Sequence, residues 1–261
     1  MKIFIFGLGN MGSAIAQSIL KQKGGFQVYA SDHNPNKLRT AGKWGVIPDL
    51  GLKHLKKCDL VVIAVKPQDI SGSAQILKGK ISARALIISI AAGVSLKVLI
   101  RVFRHSKIVR LMPNMGLLVG EGVGAWKALS GLSFSDKALA KKFISSFTEN
   151  FEVKSEALID AVTAISGSGP AYFFYFAQAL EDAARSLGLT QSQAAMLVRS
   201  TFFASAKLQL FGDYGQLIKK IASKKGTTEA ALQEFKKSGF KSSVKKAASA
   251  AYKRAKELSH G

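Results

Sequence analysis

The sequence predicts an α/β protein: a doubly wound, mostly parallel sheet over residues 1–154, followed by an all-α half over residues 155–261. Three observations carry this. Short apolar runs alternate with helical stretches through the first half, the pattern left by a parallel sheet with crossover helices. Those runs are continuous and β-branched rather than alternating in and out, as strands covered on both faces require. Beyond Lys154, long stretches rich in Ala, Leu, Phe and Gln contain no strand-like run.

Taken in order, Ile3 to Phe6 reads as a buried strand, Ser13 to Leu20 as a helix and Phe26 to Ala30 as a second strand. Leu60 to Val65, Leu86 to Ile90 and Ile108 to Met112 continue the sheet, and Val123 to Ala128 and Phe151 to Val153 are expected as late, edge-type strands. In the second half, helical periodicity fits Glu156–Ile165, Ala171–Leu187, Gln191–Leu210, Gly215–Ala222, Thr228–Lys237 and Ser242–Leu258. No internal repeat or low-complexity linker intervenes, so the two domains are expected to abut.

Composition narrows the class. At 261 residues, 48% hydrophobic and 21% charged, the chain can bury a core and is not intrinsically disordered. One cysteine, Cys58, excludes a disulfide framework and a multi-cysteine zinc site, and fits a reducing, cytoplasmic setting. No apolar run reaches the ~18 residues of a membrane span. Lys2, the apolar stretch after it and Ser13-Ala14-Ile15-Ala16 imitate a signal peptide, but three closely spaced glycines interrupt it. The net charge of +22 attracts anions in general: nucleic acid, phosphorylated cofactors and carboxylate substrates. From Lys219 onward, twelve Lys/Arg face three Glu at helical spacing, which reads as a solvated helix face.

Gly7-Leu8-Gly9-Asn10-Met11-Gly12 is G-x-G-x-x-G between a strand and an amphipathic helix. That context makes it a dinucleotide fingerprint: a tight turn, close approach to a pyrophosphate, and free N–H groups at a helix start. Asp32 follows the second strand, twenty residues beyond Gly12. It stands where a carboxylate accepts the adenine-ribose hydroxyls, which favours NADH over NADPH, with His33, Lys37 and Arg39 placed to offset the preference. The other reading is a turn aspartate in Ser31-Asp32-His33-Asn34-Pro35. Ligands of open α/β sheets sit beyond the carboxyl ends of the strands, where Ala64-Val65-Lys66-Pro67-Gln68, Ala91-Ala92-Gly93 and Met112-Pro113-Asn114 fall. The small residues of the second let a flat ring lie against the backbone; each segment also reads simply as a strand end.

With Ile159-Asp160-Ala161-Val162-Thr163, Ser166-Gly167-Ser168-Gly169-Pro170 and Gly226-Thr227-Thr228-Glu229-Ala230-Ala231-Leu232, these segments run in a known order over essentially the whole chain. The sequence resembles the pyrroline-5-carboxylate reductases, which make L-proline in the last step of its synthesis from glutamate. The resemblance implies a Rossmann domain followed by a helical domain that intertwines with its partner in a homodimer, and dimers that can assemble further. It implies NADPH or NADH as cofactor, a small-molecule substrate, and an active site shared between the nicotinamide pocket of one subunit and the helical domain of the other. By position, Ala64, Val65, Lys66 and Pro67, with Ile90, Ala91 and Ala92, are implied to line the cofactor. Glu156, Lys220, Ser223, Gly226, Thr227 and Thr228 are implied to surround the substrate. Three departures stand out: Met115-Gly116 where the family usually has Thr-Pro, Lys224-Lys225 before Gly226, and Gly51 in place of a polar residue.

Reducing a cyclic imine needs a hydride donor, a protonated nitrogen and a hold on the carboxylate; an imine that arrives protonated requires no strong protein acid. None of the four histidines falls in these segments, and no Ser-His-Asp or metal-spaced cluster occurs. The turn at Gly226 opens a helix whose N–H groups suit a carboxylate, and the Thr228 hydroxyl suits the ring nitrogen as the catalytic contact; ordinary N-capping is the plainer role for these threonines. Ser166 to Pro170 reads as close packing at a helix start, and Tyr172 to Phe176 as dimer or domain core. Two alternatives remain. A 3-hydroxyacid dehydrogenase has the same two-domain plan but relies on a lysine that Ala171–Leu187 lacks. A basic, nonenzymatic nucleotide- or nucleic-acid-binding protein would explain the charge, though no nucleic-acid motif accompanies it.

Overall fold

The computed structural model describes residues 1–22 and 25–260. Eight strands form one sheet: β1 (Lys2–Phe6), β2 (Gln27–Ser31), β3 (Ile47–Pro48), β4 (Leu60–Ile63), β5 (Leu86–Ser89), β6 (Ile108–Met112), β7 (Val123–Ala128) and β8 (Glu149–Glu152). Their order is β3-β2-β1-β4-β5-β6-β7-β8. The first six are parallel, β7 runs antiparallel to β6, and β8 is parallel to β7. Helices α1 (Asn10–Lys21), α2 (Pro35–Gly42), α3 (Ile70–Leu77), α4 (Leu96–Phe103) and α5 (Phe134–Ser145) provide the crossovers.

The continuous apolar runs have a direct cause. On β1, β4 and β5, Ile3, Ile5, Leu60, Val62, Leu86 and Ile88 pack into a layer with Ile15 and Ile19 of α1 and Phe143 of α5. The intervening Phe4, Val61, Ile63 and Ile87 pack into a second layer with Ile70 of α3 and Leu99 of α4. With both faces covered, the inner positions of these strands are apolar, and the polar Lys2 and Ser89 stand at strand ends.

Several bounds differ from the sequence expectation. β4 ends at Ile63 rather than Val65, because the chain leaves the sheet into a 3-10 turn at Pro67–Asp69. β3 was not expected; two residues carry no periodicity. The edge strand is Glu149–Glu152 rather than Phe151–Val153, and α1 starts three residues before Ser13.

By packing, the chain divides into Met1–Ser168 with Ala251–Gly261, and Gly169–Ala250, instead of at 154/155. The reason lies in α6 (Ala157–Val162), whose Ile159 is buried with Ala125 of β7 and Val153, and in the π-helical turn Thr163–Gly167 that continues it. The second unit holds α7 (Gly169–Ser186), α8 (Gln191–Leu208), α9 (Tyr214–Ile221), α10 (Thr227–Lys237) and the start of α11 (Phe240–His260). A capping box of Thr190 and Gln193 opens α8. Phe173 meets Phe202 edge-on at 5.9 Å, and Phe176, Phe235 and Phe240 form a second aromatic group.

Candidate active site

The carboxyl ends of β1, β4 and β5 lie side by side, and three predicted segments share that edge. Gly7 leaves β1 with φ +101° and donates its N–H to the Ser31 carbonyl at 2.8 Å. A Cβ on Gly7 would stand 2.7 Å from the Ala64 oxygen, and one on Gly12 2.1 Å from the Gly7 oxygen. These two glycines exist so that helix and strands can close on each other. Gly9 is different: a Cβ there would meet nothing within 4 Å. It caps α1 without any side-chain hydrogen bond, and no acidic residue occupies the first turn. Open space beside uncapped N–H groups fits the pyrophosphate of a dinucleotide.

The Asp32 carboxylate is held by backbone N–H groups. Its side chain is 3% exposed. Oδ2 accepts the Leu8 N–H at 2.7 Å, inside the glycine turn, and Oδ1 accepts the Asn34 N–H at 2.8 Å. These two bonds tether the glycine turn to the end of β2. His33 and Lys37 flank it, the first almost fully exposed, with nitrogens 3.5 and 3.9 Å from its oxygens.

On the same edge Lys66 is exposed and starts the 3-10 turn after Ala64 and Val65, while Pro67 sits in that turn. Ile90 and Ala92 are half-buried, Ala91 is buried, and Gly93 follows with φ +68°. Met112 to Asn114 serves the scaffold instead: Asn114 Oδ1 accepts the N–H groups of Gly116 and Val123, and Nδ2 donates to the Ser166 carbonyl.

Glu156 is bonded through one of its carboxylate oxygens. Its Oε1 accepts the Leu96 N–H at 2.7 Å and an N–H of Arg110 Nη1 at 2.9 Å, and the side chain is 29% exposed. Sequence reading missed Arg110, which is 2% exposed on β6 and also donates to Asp160 Oδ1 at 2.9 Å. The signal available was a lone arginine in the apolar run of β6, which a buried sheet tolerates only when the charge is paired.

Lys220, Ser223, Gly226, Thr227 and Thr228 fall in one stretch of the second unit, from the last turn of α9 to the first of α10. Lys225 adopts φ +60°, its N–H donates to Glu229 Oε2 at 2.6 Å, and the Gly226 N–H donates to the Ser223 carbonyl at 3.0 Å. The cap position of α10 is Gly226, with no side-chain bond. Thr227 and Thr228 lie inside the helix, so capping is not their role.

Among the described residues, three titratable groups are displaced from their ordinary values. Burial pushes Asp49 up, but N–H bonds from His54 and Lys53 and the His54 ring bring it below. The Lys107 ammonium, 2.9 Å away, holds Asp136 low against its burial. Burial pushes the Cys58 thiol up to about 11.

A family model described as pyrroline-5-carboxylate reductase dimerisation matches residues 156–258, and one described as NADP oxidoreductase, coenzyme F420-dependent, matches residues 2–93. Among curated proteins, the pyrroline-5-carboxylate reductase of Pseudomonas aeruginosa is 33% identical over 98% of this chain and 96% of its own. That of Aquifex aeolicus is 33% identical over 99% and 97%. Among solved structures, the Coxiella burnetii pyrroline-5-carboxylate reductase superposes with a TM-score of 0.87 at 31% identity, covering 98% of both chains. The Plasmodium falciparum pyrroline carboxylate reductase with NADP bound gives 0.82 at 29% identity over 99% and 98%. A prephenate dehydrogenase from A. aeolicus, 16% identical with a TM-score of 0.57, shares the fold alone. With a third of its residues shared over nearly its full length, the chain belongs to the pyrroline-5-carboxylate reductase family.

Proposed function

We propose that this protein reduces 1-pyrroline-5-carboxylate to L-proline with hydride from a nicotinamide dinucleotide. The observation that carries the reading is the full-length match to curated reductases of that name, joined to a glycine turn whose open face fits a pyrophosphate. The bound nicotinamide supplies the hydride. The chain's own residues hold and orient: the α1 N-terminus takes the phosphates, and Ala64–Pro67 with Ile90–Ala92 line the nicotinamide half. The uncapped start of α10 receives the substrate carboxylate, with Lys220 and Ser223 beside it. Thr228 Oγ1 accepts the N–H of the iminium and aligns its C=N bond, so that the nitrogen keeps its proton as the carbon takes the hydride. No protein acid is spent.

With Asp32 engaged inside the protein, the adenosine end meets His33, Asn34 and Lys37, which favours a 2′-phosphate. NADPH is the preferred cofactor and NADH is accepted. A homodimer follows from the second unit: among the described residues α7 buries only Gly169 and α8 only Ala194, while Tyr175 and Phe211 stand 77% and 78% exposed. Apolar surface of that extent calls for a partner copy. No helix among the described residues is long and apolar enough to cross a membrane, and a single, buried cysteine suits the cytoplasm.

The test is NADPH and NADH oxidation with and without 1-pyrroline-5-carboxylate, with proline identified as product. Absence of substrate-dependent oxidation with either cofactor overturns the reading. Thr228→Ala is expected to lower turnover about ten- to a hundredfold, the worth of one hydrogen bond to a charged group at ~1.5–3 kcal/mol, with cofactor affinity unchanged. Thr228→Ser retains most activity. Full turnover in the Ala variant ends the assignment of Thr228.

A further inference from the structure

We infer that the C-terminal end of α11 is a positioning latch for the turn Ala91–Gly93, holding it in the shape that receives the nicotinamide ring. The inference rests on the cofactor reading above and extends it to Arg110, Leu258 and Ser259, which that reading leaves unused.

After β5 the chain must turn within a few residues to enter α4 at Leu96. Gly93 makes this feasible with φ +68°, but a glycine is permissive and selects no single shape. The selection comes from outside the turn. Leu258 passes directly over Gly93: a Cβ on Gly93 would stand 2.6 Å from Leu258 Cβ and 3.2 Å from its carbonyl carbon. The helix end that covers the turn is itself anchored, with Ser259 Oγ 2.8 Å from Asp160 Oδ1 and 3.4 Å from Arg110 Nη2. The far end of the turn is held by the same group of charges, since the Glu156 oxygen that takes Arg110 Nη1 also takes the Leu96 N–H. Arg110, buried on the strand next to β5, thus ties both ends of the turn to one point. A turn ordered before the ring arrives spares the ligand the cost of ordering it.

Ser259→Ala removes the anchor while Arg110 and Asp160 stay paired. Gly93→Ala drives a methyl group against Leu258 and serves as the second variant. Three readouts on the full chain decide: affinity for NADPH, affinity for 2′,5′-ADP, which lacks the nicotinamide, and hydrogen exchange of amides 91–96 without ligand. Each variant is expected to weaken NADPH about tenfold, leave 2′,5′-ADP within about twofold, and speed exchange in 91–96. Equal weakening of both ligands, or no weakening of NADPH, overturns the latch while the cofactor reading stands. A wild-type protein that binds neither ligand overturns the cofactor reading and the latch together.

Discussion

Asp32→Asn separates a tether from a ribose contact. The carboxylate accepts two N–H groups, from Leu8 at 2.7 Å and from Asn34 at 2.8 Å, with its side chain all but excluded from water. Asparagine keeps one acceptor oxygen and turns the other into a donor, so one of the two N–H groups must face another donor. The Leu8 bond is the more deeply buried, so the amide oxygen settles there and the Asn34 N–H goes unmet. An unmet buried donor costs ~1–3 kcal/mol, and loss of the charge weakens the surviving bond by roughly half. Together these amount to about 2–4 kcal/mol. At about 2–4 °C per kcal/mol for a chain of this size, the melting temperature should fall by about 5–15 °C.

The cofactors provide the second reading. A tether shapes the glycine turn for every dinucleotide, so NADH and NADPH should weaken alike and the ratio of their kcat/KM values should stay within about twofold. A ribose contact would cost NADH alone a charge-assisted bond, about tenfold or more in that ratio. Melting curves and both cofactor titrations on one preparation suffice. A tenfold swing toward NADPH with an unchanged melting temperature would refute the tether.

Three further outcomes follow from the geometry. Gly9→Ala should leave the melting temperature unchanged while weakening dinucleotide binding, because its methyl enters only the open cradle, whereas Gly12→Ala should destabilise the fold by setting a methyl on the Gly7 carbonyl; calorimetry and cofactor titration read the contrast, and equal effects would remove the cradle. Asp136 is held low by Lys107, so the stability it lends is complete above the ordinary carboxylate range and is lost as pH falls through its native value; Asp136→Asn should flatten the acid limb of the urea midpoint below the ordinary carboxylate range. Cys58, buried and pushed up to about 11, should resist thiol reagents in the folded protein at neutral pH and react on unfolding, so rapid native labelling would contradict its burial.

Much of the first unit was legible because its periodicities are strong. Ile108–Met112 and Val123–Ala128 appear with the bounds their apolar runs suggest, and the glycine turn sits between β1 and α1 as its spacing requires. What escaped was decided by contacts distant in sequence. β3 exists because Tyr29 and Ala30 offer an edge to Ile47 and Pro48. Asp32 stands at the end of β2, and only the fold reveals that it accepts the Leu8 N–H of the glycine turn. Glu156 lies 46 residues from Arg110 and 60 from Leu96, so no local pattern announces that it belongs to them.

Helix starts connect the fold to the proposed chemistry. Asn34, Ser95, Ser133, Thr190 and Asp213 each accept a first-turn N–H and close their helices, as local rules ask. Among the described residues, α3 and α6 open at Asp69 and Glu156 without such a bond, and α1 and α10 open at Gly9 and Gly226, which have no side chain to offer one. The two glycine starts differ sterically, with open space at Gly9 and the Ser223 hydroxyl 2.4 Å from a Cβ at Gly226. A glycine cap leaves the first N–H groups of its helix without a side-chain partner and leaves room for an anion from outside the chain. Here the two starts match the two anionic ends of the proposed reaction, a pyrophosphate at one and a carboxylate at the other. A chain of net charge +22 draws both in.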